Sequence, residues 1–352
     1  MTLVDLDTPI GIVGYGLYIP STFHTAADVA AQSGGRWTAD AVQQKLGFDR
    51  KPVAGPGDGT QAMGVRAALD CLARTGVSPD AIDVVLSVGE EHKEFPLTTT
   101  AIYIQEQIGA RRAWAIDLQQ RCNTTVAALR FARDLLLAEP ELNTVLIAGG
   151  YRNGDLIDYR DPTTSFMYNL AAGGGALLVQ KGYTKNRIRA VEIATDGSMA
   201  RDVGVRYGGT ELPIERLPGE VLVRLRAEGN KSLTVFQPDH MKDALNAIGF
   251  TKWFECLDRG LQKIGRSRAE LGYLNVLHFK PSMHQALLDA LGLREEQSFY
   301  LRDYGHLGQL DPVVSIHEGL RTGRLGDGAL MAVLTAGIGY VWGVALIEWG
   351  EA

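Results

Sequence analysis

Three residues of reactive type stand where an apolar, strand-like run gives way to a turn: Cys122, His278 and His306. Cys122 follows the run at 114–118, and from Asn123 onward Ala128, Ala132, Leu135 and Leu136 recur at helical spacing. The cysteine therefore sits where a strand turns into a helix. The first turn of a helix has free backbone N–H groups and the positive end of the macrodipole, and both favour a thiolate, which is the form that attacks. A small, inert core cysteine is the competing reading. His278 closes the run at 273–277, just before a helix opened by Pro281, and His306 lies within Gly305-His306-Leu307-Gly308. In open α/β sheets ligands gather at the carboxyl ends of strands, so the three positions are placed to converge. His284 and His317 fall inside helical runs and read as packing, while Asp311, followed by Pro312, reads as a helix N-cap.

Holding such positions together takes a repeated alternation of strand and helix, and the chain shows it twice. Strands are expected at 10–18, 84–88, 114–118, 144–148 and 176–179, with helices at 61–75, at 98–108 and after Cys122 as far as Pro140. The pattern restarts with a strand at 187–195, a helical stretch at 240–264, a strand at 273–277 and a helix from Pro281 to Leu291. A short strand near Phe299, a helix ending at Gly323, and strands at 329–334 and 341–347 around Gly337-Ile338-Gly339 complete it. This gives an α/β chain of two halves, 1–183 carrying Cys122 and 184–352 carrying the histidines. No repeat is visible residue by residue, so the duplication rests on pattern. The charged, proline-containing section up to Ser232 reads as an insertion or cap. Gly14-x-Gly16 is not a dinucleotide loop, because Ile19-Pro20 stands where the helix should begin.

The 352 residues, 45% hydrophobic and 22% charged, suffice for two core-bearing halves. A formal charge of −6 with no basic run argues against a nucleic-acid partner. Cys71, Cys122 and Cys256 form no C-x-x-C pair, which points away from a disulfide framework or structural zinc and towards a reducing compartment. Met1 to Pro9 lacks a basic start, and Gly or charge interrupts the longest apolar runs, so the expectation is a cytoplasmic protein without a membrane span.

At this point the chain resembles the β-ketoacyl-ACP synthase III-like condensing enzymes and acyltransferases of the thiolase superfamily. The likeness rests on the segments 11–20, Phe95-Pro96, 117–127 around the cysteine, Leu277-His278, 303–308 and 337–346, in that order and spacing. It implies a five-layered thiolase-like fold of two duplicated α/β halves with mixed sheets, assembled as a homodimer. It implies that Cys122 takes an acyl group from a CoA or carrier-protein thioester, with no other cofactor and no metal. The backbone N–H groups of Cys122 and Ile338 would form the oxyanion hole, and His278 matches the family's catalytic histidine. For decarboxylative Claisen condensation with a malonyl thioester, His278 and His306 would hold the enolate. The family usually has Asn where this chain has His306, and elongating relatives use a Cys-His-His set. Relatives that acylate a hydroxyl or amine use Cys-His-Asp, for which Asp311 would orient His278 as general base. Gly89-Glu90-Glu91 is similar to the acidic segment of hydroxymethylglutaryl-CoA synthases, where Glu91 would match the base of a condensation without decarboxylation. Against that, residues 90–94 also read as a solvated charge cluster. Met283 replaces a basic residue of the family, so donor contacts do not transfer.

Overall fold

A computed structural model describes residues 8–351 of the chain. Its frame is a mixed sheet of nine strands: β1 (Ile10–Tyr18), β2 (Val84–Val88), β3 (Trp114–Leu118), β4 (Thr144–Tyr151), β5 (Gly173–Lys181), β6 (Arg187–Thr195), β7 (Leu271–Val276), β8 (Leu330–Gly337) and β9 (Val341–Glu348). Across the sheet the order is β7-β8-β9-β6-β1-β5-β4-β2-β3, so strands from the first half of the chain lie on one side and those from the second half on the other. β2 runs parallel to both β3 and β4, and β7 runs parallel to β8; the remaining pairings are antiparallel. The fold is thiolase-like, as expected, but the two mixed sheets are continuous. β1 and β6 meet through the pair Gly11↔Arg187, and Asn186 braces the junction by donating from its side chain to Ile12 O and accepting Ile12 N–H at its backbone oxygen.

Sequence explains why these strands are central. Every residue of β2 and β4 is buried, and a run of Val, Leu, Ile and Ala without alternation suits a strand covered on both faces. The helix Thr60–Thr75 covers β1, β4 and β5 with a face of small residues, Gly64, Ala67, Ala68 and Cys71. Cys71 is fully buried there, and burial pushes its thiol up to about 12, which fits its role in packing. Each large aliphatic side chain sealed into this layer contributes roughly 1.5–3 kcal/mol.

Two expected elements differ. The helical stretch at 240–264 is two helices, Pro238–Ile248 and Thr251–Lys263, parted at Gly249, whose φ of +51° suits glycine. Near Phe299 there is no strand, only an isolated bridge between Leu274 and Ser298, because the chain turns again at Tyr300 to Arg302. The charged section forms a cap: a ribbon of Val203–Val205 and Leu233–Val235 flanking the helix Gly219–Glu228. No helix among the described residues is long and apolar enough to cross a membrane.

Candidate active site

β3 ends at Leu118, the chain makes a single tight turn over Arg121–Asn123, and the helix Thr124–Ala138 begins directly after it. Cys122 is at the centre of that turn. Arg121, a non-glycine residue at φ +54°, gives the sharp reversal, a conformation tolerated only where the surroundings enforce it. They do so from below: Asn123 donates to Gln120 Oε1 at 2.7 Å and accepts from Thr335 Oγ1, and Thr124 Oγ1 accepts from Gln120 N at 2.8 Å. From the side, the end of β8 presses on the turn. A Cβ on Gly337 would stand 2.9 Å from Arg121 Cβ and 3.1 Å from Cys122 N, so only glycine lets the strand approach. Ile338, next in the chain, lines the same cavity as Cys122.

His306 Nε2 lies 3.1 Å from Cys122 Sγ, and His306 Nδ1 lies 2.6 Å from Asp311 Oδ2. A carboxylate only accepts, so Nδ1 carries the proton and Nε2 faces the sulfur; this tautomer follows from the hydrogen bonds. Asp311 is fully buried and accepts two further bonds at 2.7 Å, from Leu307 N on Oδ1 and from His278 N on Oδ2. Its role differs from the expected N-cap. Asp311 is already the first residue of the helix Asp311–Arg321, and the tight turn Gly308–Leu310 folds the chain so that its side chain reaches back to residues 306–307. Burial alone would discharge the His306 ring, but the Asp311 carboxylate and the Cys122 sulfur outweigh it and hold the ring well above its ordinary value.

His278 lines the same cavity as Cys122 and His306, but its ring is engaged by other groups. Its Nδ1 accepts from Asn169 Nδ2 at 2.8 Å and its Nε2 donates to Gly47 O at 3.2 Å, so both nitrogens are occupied. Burial lowers this imidazole to about 4, leaving it neutral. Asp311 meets His278 through the backbone and orients the ring of His306 instead. A short backbone ribbon holds the assembly: Ala172 N bonds to Pro52 O, Ala171 N to His306 O, and His306 N to Asn169 O, each at 2.9 Å. Behind it the fully buried Lys51 donates to Leu170 O and to Tyr159 Oη.

These groups face a cavity of about 810 Å³ that also touches the cap at Val203, Tyr207 and Leu233, and Lys280 and Met283 ahead of and on the helix Pro281–Leu291. Glu91 reaches the wall but is clasped by Arg121 through both carboxylate oxygens; burial opposes its ionisation, and Arg121 prevails, holding it below the ordinary range. That is a poor setting for a base. Its neighbour Glu90 is the buried one, with its carboxyl raised by burial. Glu90, Asn169 and Gly47 were not anticipated as site residues. Glu90 had the signal of an acid directly after a buried strand, whereas the other two sit in loops remote from any motif.

A cysteine at a strand-to-helix turn is thus linked through His306 to Asp311 on the wall of a cavity in a thiolase-like fold. Comparison with known proteins bears on the fold and on the class of protein. The family described as 3-oxoacyl-[acyl-carrier-protein (ACP)] synthase III matches residues 116–197, and its C-terminal counterpart matches residues 261–349. The β-ketoacyl-[acyl-carrier-protein] synthase III of Symbiobacterium thermophilum is 24% identical over 346 residues, covering 97% of this chain and 99% of that protein. The synthase III structure from Thermus thermophilus superposes with a TM-score of 0.80 at 23% identity, over 97% of this chain and 100% of that one. The priming β-ketosynthase of the R1128 polyketide pathway does so with 0.80 at 20% identity, over 100% of both. In sequence and in fold the chain is thus similar, over nearly its whole length, to the 3-oxoacyl-[acyl-carrier-protein] synthase III condensing enzymes.

Proposed function

We propose that the protein transfers an acyl group from a CoA or carrier-protein thioester, through acyl-Cys122, to a hydroxyl or amine. The observation that carries this reading is the Cys122–His306–Asp311 relay, together with the engagement of both His278 nitrogens. In the first half-reaction His306 Nε2 takes the Cys122 proton and the sulfur attacks the thioester carbonyl. The N–H groups of Cys122 and Ile338 receive the negative charge on oxygen, and His306 returns the proton to the leaving thiol. His306 is then neutral, with Nδ1–H on Asp311 and the Nε2 lone pair free beside the acyl group. In the second half-reaction that lone pair takes the proton of the incoming O–H or N–H as it attacks, and Cys122 leaves as the thiol. The thioester is a substrate, and no bound cofactor enters the scheme.

A second reading, decarboxylative condensation with a malonyl thioester, is favoured by the relatives named β-ketoacyl-ACP synthase III. It needs two donors on an enolate, and only a protonated His306 is available to supply one here, since the His278 N–H is spent on Gly47. Incubating the acyl-enzyme separately with labelled malonyl thioester and with a panel of alcohols and amines decides between them. Acyl esters or amides without labelled carbon dioxide are expected; carbon dioxide with no such product would establish the second reading.

The scheme extends to a homodimer, supported by the apolar edge of the sheet. Trp114 and Ile116, on one face of the edge strand β3, are nearly half exposed, and Phe95, Leu97 and Ile102 nearby in the chain are more so.

A further inference from the structure

Glu90 follows β2 on the wall of the cavity that holds Cys122, with Tyr151 and Asn153 beside it. Its residue exposure is 8%, and both of its side-chain hydrogen bonds fall on one oxygen: Oε2 accepts from Asn153 Nδ2 at 3.1 Å and from Arg121 Nη1 at 3.2 Å. Oε1 has no hydrogen-bond partner among the described residues, yet is not sealed off from the cavity space. An oxygen that opens to the cavity and receives no protein donor is available to a donor group of a bound molecule. The charge count points the same way, since Glu90 and Glu91 share the single guanidinium of Arg121 and leave this wall one negative charge in excess. The Asp311 carboxylate is paired with His306, and Lys280 is the other charged base on the cavity wall.

Resting on the acyl-transfer reading above, we propose that Glu90 recognises the acceptor: Oε1 takes a hydrogen bond from a hydroxyl or ammonium group of the incoming molecule, so that neutral and cationic nucleophiles are admitted and carboxylate-bearing ones are turned away. Burial raises the Glu90 carboxyl above its ordinary range while Arg121 and Asn153 favour its charged form, and a further donor on Oε1 acts in the same direction as they do. The same wall repels the free carboxylate of a malonyl group. Glu90 makes and breaks no bond in this scheme; it sets specificity, while His306 moves the proton.

The test has two arms on the full-length protein. In the first, Cys122 is modified by cationic 2-aminoethyl methanethiosulfonate and by anionic 2-sulfonatoethyl methanethiosulfonate, with each rate divided by that of free cysteine. Wild type should favour the cation by roughly tenfold or more, Glu90→Gln should lose most of that preference, and Glu90→Asp, which restores the charge, should retain it. In the second arm the acyl-enzyme is offered ethanolamine, ethylene glycol and glycolate, which present the same primary hydroxyl beside an ammonium, a neutral hydroxyl and a carboxylate. Deacylation should fall in that order in wild type and level out in Glu90→Gln. If wild type shows no charge preference, or Glu90→Gln keeps it unchanged, the role of Glu90 is overturned while acyl transfer stands. If wild type instead releases carbon dioxide from malonyl thioester and acylates none of the three, the acyl-transfer reading falls and the acceptor proposal with it.

Discussion

At the scale of single residues, chemistry is divided between two histidines that the sequence presents as equivalents. Both are buried and both touch Asp311, although only His278 follows a strand; one receives the carboxylate on its ring and the other on its backbone N–H. The difference is invisible in the sequence because the groups that occupy the His278 ring, Asn169 and Gly47, lie over a hundred positions away. Cys122 was legible because a reactive type between a strand end and a helix start is a local pattern, whereas His306 follows no strand and was marked only by its glycine-flanked segment. Asp311 was legible as a residue before proline and, through the resemblance, as an acid that could orient His278; that it orients His306 instead depends on how the turn Gly308–Leu310 folds. Asp311→Asn keeps one acceptor oxygen where the carboxylate offers two, so it loses one of the bonds from Leu307 N and His278 N and no longer fixes the His306 tautomer. Acyl transfer should therefore fall by roughly a thousandfold or more, with a stability loss of about 1–3 kcal/mol that leaves the protein folded, as checked by single-turnover kinetics and calorimetry. Glu91→Gln removes a partner of Arg121 at the rim, and turnover with the same substrates should stay within about threefold.

At the scale of elements, the site depends on where strands stop. The expected positions of β1, β2, β3 and β6 agree with the structure because their apolar runs are bounded by glycine, proline or charge. The strand expected near Phe299 failed because a few apolar residues do not make a strand without a neighbour to pair with. Gly337 marks the closest approach of β8 to the nucleophile turn, so Gly337→Ala should displace Cys122 from Ile338. The expected result is acylation slowed at least tenfold and a loss of about 1–3 kcal/mol in urea unfolding. Lys51, behind the ribbon of residues 169–172, is lowered to about 7 by burial. Between that value and the ordinary lysine range the unfolded chain binds the extra proton, so this residue's contribution to stability grows as pH rises. From pH 7 to 8.5 wild type should gain on Lys51→Met by roughly 1 kcal/mol per pH unit, and parallel slopes for the two proteins would contradict this.

At the scale of the whole molecule, the mixed α/β architecture was readable from the alternation of elements, whereas the joining of its strands into one sheet at Gly11↔Arg187 was not, since one backbone pair leaves no sequence pattern. The apolar edge at β3 makes a definite statement about assembly. Light scattering should give twice the monomer mass, and Trp114→Asp with Ile116→Asp should shift it to the monomer. The most direct test of the central claim, that Cys122, His306 and Asp311 form the acyl-transfer relay, is intact mass measured within one turnover after mixing with an acyl-CoA. Wild type and His278→Gln should carry the acyl mass on Cys122 at rates within about tenfold of each other, while His306→Asn should be slower by roughly a thousandfold. Rapid acylation in His306→Asn with its loss in His278→Gln would contradict the account.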